Sequence, residues 1–137
     1  MTGERRSPAR AVLIIPGRLP GLNEYITAGN RSRFNGAKVK AEAQAWVVLC
    51  CKRHLRGVRF RRPVRMIYTW IEPNRRRDKS NVSAYGRKVI EDALVLTGVL
   101  RDDGWDEIEG FEDRFAVDKK NPRIIVEIEE VGESEPT

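Results

Sequence analysis

Residues 75–104 read RRRDKSNVSAYGRKVIEDALVLTGVLRDDG. Their reading depends on what lies on either side of Asp78. Upstream, residues 63–71 have a strand pattern: Val64, Met66, Tyr68 and Trp70 fall on one face and Ile67 and Ile71 on the other. Apolar residues on both faces predict a central strand covered on both sides. Glu72-Pro73-Asn74 stops it. Downstream, Val82, Tyr85 or Gly86, Val89 and Ala93 recur at helical spacing, widened by Ile90, Leu94 and Leu96. This predicts a helix over 81–97, with Ser80 or Asn81 as its cap and Gly98 as its stop.

Working outward, residues 11–15 form a short β-rich run ended by Pro16-Gly17. Residues 18–36 hold Pro20-Gly21, Asn23, Gly29-Asn30 and Asn35-Gly36, which predicts a long loop. Its Arg18, Arg31 and Arg33, with Tyr25 and Phe34, suit contact with a nucleic acid by charge and stacking. A helix follows over 37–56, where Val39, Ala43, Trp46, Val47 and Cys50 share a face and Gly57 offers the stop. Strands are expected over 108–117 and 123–131. The order strand-helix-strand-helix-strand-strand implies an α+β fold, two helices against one mixed β-sheet, in a single domain over 1–137. Residues 1–10 and 132–137 are expected to be flexible tails.

Composition narrows the chemistry. The chain has 137 residues, 34% charged and 40% hydrophobic, a globular mixture with enough length for its own core. No apolar run is long enough to span a membrane, and the apolar stretch after the basic N-terminus is too short for a signal peptide, so a cytoplasmic location is expected. Cys50 and Cys51 are adjacent, which strains any disulfide between them; one buried thiol with a second beside it is expected. The single histidine, His54, lies in a basic stretch and is expected at the surface. Any chemistry therefore rests on carboxylates, lysines or hydroxyls. The net charge of +6 is unevenly spread: residues 52–77 hold ten Lys or Arg and one acid, residues 91–130 thirteen acids and five Lys or Arg. A basic block attracts polyanions, and an acidic block after it suits cation binding near a phosphate backbone.

Phosphodiester cleavage needs a divalent cation held by carboxylates. Asp78 is one source and Asp102-Asp103 the other. A helix of about 24 Å separates them, so they meet only if residues 99–103 fold back along it. Asn81, Tyr85, Lys88 and Asp92 fall on one helix face, and Lys88 there suits stabilisation of a pentacovalent phosphorane. Plainer roles stand beside these: a Lys88–Asp92 surface pair, a helix-dipole role for Asp78, and a turn at Asp102-Asp103.

The 75–104 stretch resembles the core motif of the RusA family of Holliday-junction resolvases, which runs Arg-Arg-Asp-x-Asp-Asn, a helix with Lys and Asp-Ala-Leu, then Gly-Val and Asp-Asp. IPGRLPGLNEYI, GAKVK and DKKNPRIIVEIEE look like the phage and prophage branch, so the resemblance covers about 13–130. It implies a RusA-like fold and a homodimer that cuts four-way DNA junctions by paired symmetric nicks in recombination and repair. The implied enzyme is an Mg²⁺- or Mn²⁺-dependent endodeoxyribonuclease. Its catalytic residues fall on Asp78, Asp103 and Lys88. Metal ligands fall on Asp78, Asp103 and the adjacent Asp102, and the motif asparagine falls on Asn81. Arg75, Arg76, Arg77, Lys79, Lys38 and Lys40 are the expected phosphate contacts. The motif's second aspartate is Ser80 here. A hydroxyl is a poorer Mg²⁺ ligand than a carboxylate, so the alternative is a branched-DNA-binding protein with weak or no cleavage.

Overall fold

The computed structural model describes residues 8–131; the expected tails 1–7 and 132–137 lie outside these. Arg10, assigned to the N-terminal tail, instead begins the first strand. The chain runs β1 (Arg10–Pro16), α1 (Leu22–Arg31), α2 (Arg33–His54), β2 (Val64–Glu72), α3 (Lys79–Leu96), β3 (Ile108–Val117) and β4 (Arg123–Glu130). It is an α+β fold with one mixed sheet. The sheet order is β1-β4-β2-β3, with β2 parallel to β3 and antiparallel to β4, and β4 antiparallel to β1. β2 and β3 are parallel because α3 carries the chain from one to the other.

Alternation builds the inner face. Leu13 and Ile15 of β1 stand opposite Val126 and Ile124 of β4, which in turn stand opposite Tyr68 and Trp70 of β2. All six are buried in one core with Ala43, Val47, Cys50 and Cys51 of α2 and Val82, Val89, Ile90, Ala93 and Leu94 of α3. Both thiols are buried, where one was expected; burial pushes Cys51 up to about 12, so it is held as an inert thiol. His54 is exposed, as expected.

Two expectations change. β2 is central, yet a packed layer covers only its inner face. Ile67 and Ile71 are buried but lie outside the core cluster, with Glu112 and Glu127 beside Ile67 and Arg123 beside Ile71 on the flanking strands. Long charged side chains can shade apolar surface with their methylene stems. The two last strands are not neighbours: they flank β2, and the 118–122 turn crosses its end, where the Asp118 N–H donates to the Glu72 carbonyl at 2.8 Å.

The second change is a third helix. The expected 18–36 loop is largely α1 and the first turn of α2, separated by Ser32, whose Oγ accepts the Asn35 N–H at 3.0 Å. Glycine and asparagine pairs hid α1 because its stability is tertiary. None of its residues is buried. It is docked by Tyr25 stacked on Tyr85 of α3 (4.3 Å between centroids), by Glu24 bound to Arg77, and by Gly29 and Gly36 packed so closely that a Cβ on Gly36 would lie 3.1 Å from the Gly29 Cα.

Candidate functional site

The site begins at the C-terminus of α3. Gly98 adopts φ +78°, the Gly98 N–H donates to Val95 O at 3.1 Å, and the Val99 N–H donates to Leu94 O at 2.9 Å. This pair of bonds is the Schellman motif, which reverses the chain past a helix end. Val99 and Leu100 are then buried against the core, and the Phe60 N–H holds the Val99 carbonyl at 2.9 Å. The fold-back that the sequence left open thus occurs, and it returns Asp103 to the middle of α3.

There the Lys88 Nζ lies 2.7 Å from Asp103 Oδ2 and 3.2 Å from Asp92 Oδ1. The surface pair with Asp92 and the contact with Asp103 coexist. These bonds, that to Asp103 first, hold the Lys88 ammonium well above its ordinary pKa, and Lys88 holds the Asp103 carboxyl below the usual carboxylate range. Asp102 does not join them: its Oδ1 accepts the N–H of the next residue, Asp103, at 2.8 Å.

Glu91, which the sequence offers with Asp102 as a substitute for the carboxylate missing at Ser80, lies beside the Lys88–Asp103 pair. It lines a cleft of about 350 Å³ with Asp103, Trp105 and Phe111. Burial pushes its carboxyl up, the Asp103 charge adds to this, and the Tyr68 hydroxyl, donating to Oε2 at 3.0 Å, pulls the other way. Tyr68 stacks on Trp70, whose Nε1 donates to Asp113 at 2.9 Å, and Asp113 is paired with Arg87. Polar partners on β2 and β3 thus fix α3 at this level. Trp105 carried a sequence signal. It lies between Gly104 and Asp106 in a charged run that offers no apolar neighbours, and it is 98% exposed.

Asp78 lies elsewhere. It is the N-cap of α3, with an extended backbone and no side-chain capping bond. Lys88 is ten residues further, about 15 Å along the axis. Asp78 opens onto a second cleft of about 650 Å³ with Arg75, Lys79, Phe115 and Val117. The polar stripe between the two ends is interrupted by α1. Asn81 Oδ1 accepts the Asn23 N–H at 2.7 Å, and Tyr85 is buried under Tyr25. Asn81 caps α1, a task that Gly21, the residue at the N-cap, has no side chain to perform. Neither Ser80 nor Asn81 caps α3, and Ser80 is exposed in its first turn.

The expected metal ligands therefore do not converge within one chain. Among the described residues no three His, Cys, Asp or Glu side chains form a metal-holding group.

The basic residues also divide. Arg77, expected to grip phosphate, is used internally. Its Nε and Nη2 donate to both oxygens of Glu72 at 3.0 and 2.9 Å, and its Nη1 to Leu19 O and Glu24. Arg18 donates to the same Glu72. Both side chains of the Arg77–Glu72 pair are nearly sequestered, at 12% and 11% exposure. Arg75, Arg76 and Lys79 remain exposed. β2 separates them from a second basic group, where Arg59, Arg61 and Arg62 border a cleft of about 360 Å³ with Arg101. Lys38 and Lys40 are exposed on α2, two residues apart and so on opposite sides of it, and Lys38 pairs loosely with Glu42. No helix of the described residues is long and apolar enough to cross a membrane. Compared with known proteins, the chain matches no protein-family model and no curated relative.

Proposed function

We propose that this protein is a RusA-like, structure-selective endodeoxyribonuclease acting on four-way DNA junctions as a homodimer. One observation carries the reading: Lys88 and Asp103, fifteen positions apart and both singled out by the resemblance, lie 2.7 Å apart on the surface of the fold. The Lys88 side chain is 61% exposed between two carboxylates and presents its ammonium to an incoming phosphate, whose oxygens gain charge at the transition state. Arg75, Arg76 and Lys79 supply cations for the DNA backbone. Asp103, bonded to Lys88, lines the adjacent cleft together with Glu91 and Glu109. A divalent cation belongs to this reading as a requirement to be tested.

The test is incubation with Mg²⁺ or Mn²⁺ and a labelled synthetic junction at fixed salt. Paired symmetric nicks that vanish in Lys88→Met and Asp103→Asn are expected. Their absence in both the unchanged protein and Ser80→Asp overturns the nuclease reading.

A second reading is favoured by the separation of Asp78 from Asp103 and by the neutral Ser80: a junction-binding protein that does not cut. Tight junction binding, with nicks only after Ser80→Asp, selects it.

A further inference from the structure

β3 is an edge strand, and its inner-facing side chains at 111, 113 and 115 meet side chains of α3. Arg87 lies over the Phe111 ring at 4.4 Å and Lys79 over the Phe115 ring at 5.4 Å. The spacings match: four residues of strand advance about 13 Å, and eight residues of helix about 12 Å. Two cations of α3 thus stand over two aromatic rings of β3. Phe111 remains 52% exposed, and Trp105, beside it in the same cleft, is 98% exposed. Large aromatic side chains left in water at a cleft mark a contact surface.

We infer that the surface along α3 and β3, from the Trp105 cleft to the Lys79 cleft, holds unpaired nucleotides of DNA, with bases stacked on Trp105 and Phe111 and phosphates directed toward Lys79, Arg75 and Arg76. Charge sets this polarity. Without a bound cation, Glu91, Asp103 and Glu109 at the Trp105 end repel phosphate, so in the metal-free protein contact there is made by the uncharged face of a base. At the other end, Arg75, Arg76 and Lys79 form no salt bridge among the described residues and outnumber Asp78, which shares the cleft of Arg75 and Lys79. Asp113, midway, is neutralised by Arg87. Interleaved aromatic and cationic side chains along a groove are the physical requirement for binding a single strand without reading its sequence. The inference rests on DNA as the partner and adds which part of a branched substrate this face takes.

The experiment is fluorescence anisotropy in EDTA, at fixed salt, with a labelled oligothymidylate and an abasic oligonucleotide of equal length. The unchanged protein is expected to prefer the oligothymidylate. Trp105→Ala and Phe111→Leu should each weaken that complex, the former by about five-fold or more, and leave the abasic complex unchanged. Lys79→Ala should weaken both. Equal affinity for the two oligonucleotides, or insensitivity to Trp105→Ala, overturns the inference. So does a change of sedimentation coefficient in Trp105→Ala without loss of oligonucleotide binding, which assigns the face to a protein partner. Because no metal is present, failure here is separable from failure of junction nicking.

Discussion

The Lys88 ammonium lies 2.7 Å from the Asp103 carboxylate, and each is held in its charged form by the other. Lys88→Met removes the partner that lowers the Asp103 pKa, so that carboxyl should titrate at higher pH, read by NMR. The sign for stability follows. A depressed carboxyl stabilises the fold above its ordinary range, and this is lost as pH falls through the folded-state value. The variant should show a weaker loss in acid. Because Lys88 is largely exposed, its pairs contribute less than about 1 kcal/mol to stability at neutral pH. Junction nicking should fall by about 100-fold or more, the scale for losing one group that stabilises developing charge.

Gly98→Ala tests the turn that delivers Asp103. At φ +78° an alanine Cβ meets the backbone, which costs about 1–2 kcal/mol. Urea denaturation should show that loss, and the Asp103 pKa should rise as its contact with Lys88 loosens.

Arg77 and Arg75 are neighbours in sequence with opposite duties. Arg77→Met strands the Glu72 carboxylate, which also faces Arg18, and should destabilise the protein by about 3 kcal/mol. Arg75→Ala should leave the melting temperature within error. It should also lower the salt dependence of DNA binding by about one unit of slope, since one phosphate contact is lost. A stable Arg77→Met protein would contradict the structural role.

Asn81→Ala should cost about 1 kcal/mol, because the Asn23 N–H at the start of α1 loses its acceptor. Asn81→Asp keeps an acceptor oxygen and should retain most of the stability. Hydrogen exchange over 22–31 should rise in the alanine variant alone.

Glu91 is half-buried and held above its ordinary pKa by burial and by the Asp103 charge. The folded state then binds its proton more tightly than the unfolded state. Stability falls as pH rises from the ordinary glutamate value through the raised one. Glu91→Gln removes this cost and keeps an acceptor for the Tyr68 hydroxyl. Its melting temperature should exceed that of the unchanged protein at pH 7–8, and the two should converge in acid. Convergence at all pH values would show that Glu91 carries no such strain.

Strands and long helices were legible because their signals are local. The pattern at 64–70 marked the inner face of β2, and the helical stripe at 82–94 marked α3. Position in the sheet was less legible. Ile67 and Ile71 suggested cover on both sides, but periodicity does not distinguish a packed layer from the stems of flanking charged side chains. α1 escaped for a similar reason: its caps and contacts, Asn81, Arg77 and Tyr85, belong to a segment more than fifty residues away.

The sequence by itself determined the α+β class, the helix stop at Gly98, and the residue types available for chemistry. Each depends on backbone preference or side-chain identity within a few positions. Only the tertiary structure decided which charges are free and which meet. It spent Arg77 on Glu72, turned Asn81 onto α1, brought Asp103 to Lys88 and left Asp78 at the far end of the helix. Those outcomes depend on distances between remote segments, and burial and ion pairing change steeply over the few ångströms that such distances fix.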